Sequence, residues 1–214
     1  MSRYAILLGG DLVATPRLAR QIDGARIIAA DSGIRHASAL GVAPELWTGD
    51  FDSVDADLRA AHPDVPVEVF PPEKDLTDGE IAVEAALARG ATDLLLVGAF
   101  GGARADHAFL HLSAALRLAE SGVSCLLTSG HQEGAPLLPG THEFDHPDGT
   151  LFSVIAFSDL SGLTLTGAKW PLTGHTVPFG SSLTLSNEVS GRLEVSLTAG
   201  RAMLIAHPVS YFRM

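Results

Sequence analysis

Four short clusters carry the acidic, basic and small residues that could do chemistry: Ala30-Asp31-Ser32-Gly33, Gly49-Asp50-Phe51-Asp52-Ser53, Lys74-Asp75-Leu76-Thr77-Asp78-Gly79-Glu80 and Gly101-Gly102-Ala103-Arg104-Ala105-Asp106-His107. Asp50 and Asp52 stand two apart, so a strand-like backbone would point both carboxylates the same way. Two such charges about 4 Å apart, at an effective dielectric near 20, repel by on the order of 4 kcal/mol. Asp31, Asp78 or Asp106 would add to that cost unless a cation is present. Hard oxygen donors without a cysteine or histidine cluster favour Mg2+, which takes one or two carboxylates and completes its shell with water and phosphate oxygens. Lys74 and Arg104 supply cations for phosphate, and Gly9-Gly10, Gly98 and Gly101-Gly102 let backbone N–H groups approach an anion. Taken singly, Asp31, Asp50, Asp75 and Asp78 are equally turn formers or helix caps, Gly9 and Gly10 turn residues, and His107 a capping or surface histidine. Four clusters placed alike are what argue for a magnesium-phosphate site.

The elements that must position them alternate. Short apolar runs at Tyr4–Leu8, Arg26–Ala30, Leu46–Thr48, Val67–Phe70, Leu94–Val97 and Val123–Leu127 read as strands. Helical patterns at Thr15–Ile22, Ile34–Leu40, Val54–Ala61, Asp78–Arg89 and Asp106–Glu120 fall between them. That order predicts an α/β N-terminal domain with a mostly parallel, Rossmann-like sheet, whose strand ends share one edge and gather the clusters in one cleft. The stretch from Gly130 to Gly149 holds Pro136, Pro139, Gly140 and Pro147 without an apolar period and reads as a connection. Beyond it, Thr150–Phe157, Leu163–Thr166, Ser182–Leu185, Leu193–Leu197 and Ala202–Ala206 read as the strands of a small all-β sandwich. The expected organisation is therefore 1–130 α/β, 131–149 connection and 150–214 β-sandwich.

Charge divides the same way. Of the 214 residues, 1–149 hold 22 Asp and Glu against 10 Lys and Arg, whereas 150–214 hold 3 against 4. Nearly all of the net charge of −11 thus lies in the first part, which argues against nucleic-acid binding, since phosphate backbones are held by Lys and Arg excess. No run approaches the roughly 18 apolar residues of a membrane span and Met1 to Gly10 reads as a strand, so an untargeted, cytoplasmic protein is expected. The single cysteine, Cys125, lies in an apolar run and reads as a small buried hydrophobe. There is neither a Gly-x-x-x-x-Gly-Lys-Ser/Thr loop nor a Gly-x-Gly-x-x-Gly fingerprint. In the β half, Trp170 beside Pro171 is either core filler or a flat platform for an aromatic or cationic ring, and Ser186 and Asn187 are either turn residues or hydrogen-bond partners of a small polar ligand.

The order of Ala-Asp-Ser-Gly, Gly-Asp-Phe-Asp-Ser, Lys-Asp-x-Thr-Asp-x-Glu-x-Ala, Arg-x-Asp-His, Lys-Trp-Pro-Leu and Ser-Asn-Glu, spread from Asp31 to Glu188, resembles the thiamine pyrophosphokinase (thiamine diphosphokinase) family. That resemblance implies an ATP- and Mg2+-binding α/β domain, a β-sandwich that helps bind thiamine, and a homodimer with its active sites at the subunit interface. The implied reaction transfers pyrophosphate from ATP to the thiamine hydroxyl, giving thiamine diphosphate and AMP. It gives Asp50, Asp52 and Asp78 catalytic and metal-holding roles, places Asp31, Ser32, Gly33, Lys74, Arg104, Asp106 and His107 on the nucleotide, and assigns Asp78, Trp170, Ser186 and Asn187 to thiamine. Two departures bear on the nucleotide side: the family usually has Gly-Gly directly before the Arg, whereas here Ala103 intervenes, either replacing the second glycine or inserted, and His111 stands where the family commonly has Asn. Two rivals remain. One is a non-catalytic nucleotide or thiamine sensor; the other is an Asp-based phosphatase, since Asp50-Phe-Asp-Ser-Val54 mimics the Asp-x-Asp of haloacid-dehalogenase-like enzymes, although there the motif follows the first strand rather than the third.

Overall fold

The computed structural model describes residues 2–52, 54–71 and 75–208. Ser53 and Lys74, both in the motifs above, lie outside the described residues. Two compact units are present, one made of residues 1–109 and 122–130, the other of 110–121 and 131–214.

In the first unit, strands β1 (Arg3–Leu7), β2 (Arg26–Ala30), β3 (Leu46–Gly49), β4 (Val67–Val69), β5 (Asp93–Val97) and β6 (Ser124–Thr128) run side by side in the order β6-β5-β1-β2-β3-β4. Their pairings are parallel. Four of these strands are buried along almost their whole length, as expected where helices cover both sheet faces. Helices α1 (Pro16–Ile22), α2 (His36–Leu40), α3 (Ala56–Ala60) and α4 (Asp78–Ala88) belong to this unit, whereas α5 (Ala105–Glu120) begins in it and continues into the second; side-chain caps set the starts of α1, α3 and α4. Thr15 caps α1 through a bond from the Leu18 N–H at 3.1 Å with Pro16 in the first turn, and Asp55 caps α3 from the Leu58 N–H at 2.7 Å. Leu18 and Ile22 of α1 pack with Ala5, Leu7, Ala29 and Trp47 in one core, while α4 lies against β1, β2 and β3. Cys125 is buried and its thiol is pushed up to about 12 by burial, which makes it an unreactive apolar filler.

The second unit is antiparallel. Strands β7 (Glu133–Leu137), β8 (Gly140–Phe144), β9 (Leu151–Ala156), β10 (Leu160–Ala168), β11 (Leu172–Val177), β12 (Asn187–Leu197) and β13 (Ala202–His207) follow in chain order. The long β12 pairs with β9 at its start, with β8 towards its end and with β10 along its flank. Alternate residues Phe152, Val154 and Ala156, Leu193, Val195 and Leu197, and Ala202, Leu204 and Ala206 point into one core.

The parallel sheet expected of the N-terminal domain is confined to the first unit; among the described residues six strand pairings are antiparallel and five parallel, so the chain as a whole is mixed. Two expectations need correction. The stretch 131–149 is not a plain connection, because β7 and β8 lie in it; Pro136 and Gly140 mask the signal, yet β13 supplies an apolar partner for β7 and β12 for β8. Ser182–Leu185 is a turn rather than a strand, since its alternation is inverted: Thr184 is buried and its hydroxyl donates to the Val154 carbonyl, while Leu183 and Leu185 face outward.

Candidate active site

Because the first unit's strands are parallel, the ends of β1, β2, β3 and β5 share one edge, and the strand order reverses on either side of β1. Crevices at such reversals are where open α/β sheets bind ligands. The chain after β2 turns at once into a 3-10 turn, Asp31–Arg35, three residues earlier than the helical pattern begins. Gly33 permits this, for a Cβ there would lie 2.1 Å from the Leu7 carbonyl oxygen. Asp31 itself takes a left-handed backbone, φ 44°, and its carbonyl accepts a 2.8 Å bond from the buried Trp47 indole N–H.

After β3, Phe51 is the pivot. Its ring is buried, meets Trp47 edge-on at 4.9 Å, and its backbone is left-handed at φ 63°. The Asp52 N–H then donates to the Asp50 carboxylate at 3.1 Å. Asp50 and Asp52 therefore converge through a tight turn around a buried aromatic ring, and not through the strand alternation that their spacing suggests. Such left-handed non-glycine residues cost energy and concentrate at functional sites. Carboxylate oxygens of Asp31, Asp50 and Asp52 all lie within 4.8 Å of one another. The Asp50 charge, then desolvation, then the charges of Asp31 and Asp78 hold the Asp52 carboxyl above its ordinary range. Hard oxygen donors drawn together against their own repulsion fit a small divalent cation such as Mg2+.

Asp78 lies outside that tight set but within electrostatic reach of Asp52. It opens α4, and the neighbouring motif residues explain themselves locally: the Thr77 hydroxyl accepts from the Glu80 N–H at 3.3 Å while the Thr77 N–H donates back to Glu80 at 3.1 Å. Thr77 and Glu80 thus build the helix start that fixes Asp78.

On the other side of the reversal, the Gly10 and Asp11 N–H groups donate to the carbonyls of Gly98 and Phe100 at 3.0 and 2.9 Å. A Cβ at Gly10 would fall 2.3 Å from the Gly98 oxygen, so this glycine serves loop packing. Gly101 and Gly102 are both left-handed, at φ 69° and 79°, whereas Ala103 is not, so its methyl sits where an L-residue is comfortable. Arg104 grips Asp106 through three bonds, Nε to Oδ1 at 3.0 Å and to Oδ2 at 3.3 Å, and Nη2 to Oδ2 at 2.7 Å. That grip holds the Asp106 carboxyl well below the usual carboxylate range, with the His107 backbone N–H adding to it. A carboxylate so engaged orients Arg104; the guanidinium is the group suited to phosphate. Ser32 stands beside Gly9, where a Cβ would meet its hydroxyl at 2.9 Å, and the half-buried His107 lies in the first turn of α5.

Sequence reasoning missed Arg35 and His36. Neither belongs to a spaced motif; only their place in the turn after β2 marks them. The His36 ring Nε2–H donates to the Gly10 carbonyl at 3.0 Å, and burial, with Arg35 adding, lowers its pKa below the ordinary 6.5. The unfolded chain therefore takes up a proton near pH 6.5 that the folded one resists, so stability falls as pH drops below about 6.5. His207 is lowered by burial in the same sense. His36→Gln is expected to flatten part of the decline in melting temperature between about pH 6.5 and 5; an unchanged slope would mean His36 titrates normally.

In the second unit Trp170 is 56% exposed, which rules out core filler. It occupies the bend between β10 and β11, where the Asn187 side-chain amide donates to the Trp170 carbonyl at 2.8 Å and accepts from its N–H at 3.2 Å. Asn187 is buried and spent on this clamp. Lys169 Nζ lies 4.9 Å from the Trp170 ring centroid and 3.4 Å from Glu188. Ser186 is exposed in a left-handed conformation, φ 59°.

Comparison with known proteins agrees with both units. Residues 21–127 match the thiamin pyrophosphokinase catalytic domain and residues 141–203 the thiamin pyrophosphokinase vitamin B1 binding domain. A thiamine pyrophosphokinase of Bacillus subtilis is 29% identical over 194 residues, covering 88% of this chain and 90% of that one. A crystal structure of thiamine pyrophosphokinase from the same organism superposes with a TM-score of 0.84 at 27% identity over 96% of this chain and 99% of that one. The Geobacillus thermodenitrificans structure is 30% identical, with a TM-score of 0.79 and 100% of both chains covered. With each half matched in order and the whole length shared, the chain belongs to the thiamin pyrophosphokinase family.

Proposed function

We propose that this chain transfers the pyrophosphoryl group of ATP to the hydroxyl of thiamine, giving thiamine diphosphate and AMP. The observation that carries the reading is the group of Asp31, Asp50 and Asp52 oxygens within 4.8 Å at adjacent strand ends. Asp31, Asp50 and Asp52 would hold Mg2+, which supplies neutralisation of phosphate oxygens when bound. The thiamine hydroxyl oxygen attacks the β-phosphorus, and the bond from that phosphorus to the α–β bridging oxygen breaks, so AMP departs with the bridging oxygen. Asp78, fixed by the capping box at the start of α4, orients the hydroxyl and accepts its proton. Arg104, aimed by Asp106, binds phosphate oxygens with Lys74, and Ser32, Gly33 and His107 line the nucleotide side. Little covalent work falls to the protein, so alignment and charge neutralisation account for the rate.

On the thiamine side, Trp170 offers an indole face to the cationic thiazolium and Ser186 a hydroxyl, while Asn187 acts by holding Trp170. The working form is a cytoplasmic homodimer with active sites at the subunit interface. The exposed apolar side chains Phe179, Leu183 and Leu185 of the β-rich unit, at 68, 56 and 47%, support their being covered by protein in the dimer. The left-handed glycine pair kept ahead of Ala103 favours turnover over a silent sensor, and Asp50 following β3 disfavours the phosphatase.

The test is formation of AMP from ATP and Mg2+ with and without thiamine, alongside detection of thiamine diphosphate. Thiamine-dependent AMP with equimolar product is expected. Binding of both ligands without AMP would replace the enzyme by the sensor.

A further inference from the structure

We infer that Arg35 is a further phosphate-binding residue of the nucleotide site, a second guanidinium standing across the sheet reversal from the aspartates. The inference rests on the reading that the cleft binds ATP.

Arg35 closes the 3-10 turn that begins with Asp31, so one short segment carries a carboxylate of the metal group and a cation four residues later. Its Nη2 donates to the carbonyls of Gly9 and Gly10, the latter at 3.1 Å. That places the guanidinium on the loop after β1, at the point where the strand order reverses. The glycine loop before Arg104 is close by, for a Cβ on Gly102 would lie 3.5 Å from Gly10 Cα and 4.0 Å from the Gly9 oxygen.

The chemistry of its partners is the informative part. In a chain of net charge −11, Arg3, Arg26, Arg104, Arg192 and Arg201 each pair with a carboxylate. Among the described residues Arg35 pairs with none, although it is exposed and four residues from Asp31. A guanidinium has five N–H donors, and the two carbonyls occupy only those of Nη2. Donors on Nε and Nη1 keep their full charge for an anion. Two neutral carbonyl anchors fix the fork without neutralising it, which is the preparation expected of a group that waits for an oxyanion. Acid and base are thus separated along the edge. Asp31, Asp50 and Asp52 stand at the ends of β2 and β3, and the Arg35 guanidinium reaches from the turn after β2 onto the loop after β1. A polyphosphate chain spanning the two sides would find metal-holding oxygens at one end and guanidinium donors at the other.

Binding of ATP, AMP and adenosine to the full chain, measured by calorimetry for wild type, Arg35→Gln and Arg35→Lys, tests this. The glutamine variant is expected to weaken ATP by at least about tenfold, the loss typical of a charge-assisted hydrogen bond, and to leave adenosine unchanged. Lysine, which keeps the charge and loses the fork, should recover part of the ATP affinity, and its ATP binding should stay more salt-sensitive than that of the glutamine variant. Equal loss for ATP and adenosine would make Arg35 a loop clamp and overturn the inference; so would undiminished ATP binding in a folded Arg35→Gln. Should that variant not fold, a lysine variant with wild-type affinity and wild-type salt dependence for ATP would overturn it instead. Wild-type protein that binds neither nucleotide would defeat the ATP reading itself and the inference with it.

Discussion

Asparagine at position 50 or 52 is expected to lower the rate of AMP formation by on the order of 10²–10³ while leaving the fold intact, the scale seen when one charge-stabilising group is removed from an active site. The physical reason is visible in the Asp52 carboxyl, which the neighbouring charges of Asp50, Asp31 and Asp78 hold above its ordinary range. A cluster that repels itself destabilises the empty protein and attracts a divalent cation for the same reason. Each substitution should therefore leave the melting temperature without magnesium unchanged or raised, and should shrink the increase that magnesium produces in wild type. Asparagine is the right replacement at position 50, because its side-chain oxygen still accepts the Asp52 N–H and keeps the turn around Phe51. Circular dichroism melts with and without magnesium, together with initial rates, separate the outcomes. Wild-type rates in both variants, or an undiminished magnesium shift, would remove the aspartates from the site.

Much of this site was legible because the α/β pattern is local. Runs such as Arg-Ile-Ile-Ala-Ala and Leu-Leu-Leu-Val declare buried strands, and parallel pairing then brings Asp31, Asp50 and Arg104 to one edge with no tertiary information. What escaped was decided by contacts between distant residues. The Asp50-Phe-Asp spacing suggested alternation, but Trp47 captures the Phe51 ring and turns the backbone left-handed. Arg35 carries no motif, and its place depends on a glycine approaching the Leu7 carbonyl at the end of another strand. In the β-rich unit, Ser-Leu-Thr-Leu imitates a strand until the Thr184 hydroxyl finds the Val154 carbonyl and inverts which residues are buried. β11 was missed altogether, because Leu-Thr-Gly-His-Thr-Val buries only its last residue. Patterns report burial well where one face is apolar, and poorly where a single polar contact decides the register.

Trp170→Ala is expected to raise the thiamine KM by about ten- to a hundredfold, the equivalent of about 1–3 kcal/mol for one lost stacking platform, with little change in the ATP KM. An indole 56% exposed contributes little to the core, so truncation should leave stability near that of wild type. The bend that presents it is fixed by the bond that the Asn187 amide donates to the Trp170 carbonyl and by the one its oxygen accepts from the Trp170 N–H; that oxygen also accepts the Glu188 N–H, so both of its lone pairs are used within the fold. Asn187→Ala should then show the same one-sided KM pattern through a loosened platform, and Trp170→Phe should restore part of it by returning an aromatic face. Lys169, whose ammonium already lies 4.9 Å from the indole centroid, shows that this ring accepts a cation. A thiazolium is a flat cation, able to stack where an ammonium can only approach, and on the proposed reading this would give the ring a preference for substrate over its own neighbour. Equal rises in both KM values would make Trp170 a structural residue of the bend, and an unchanged thiamine KM would place thiamine elsewhere.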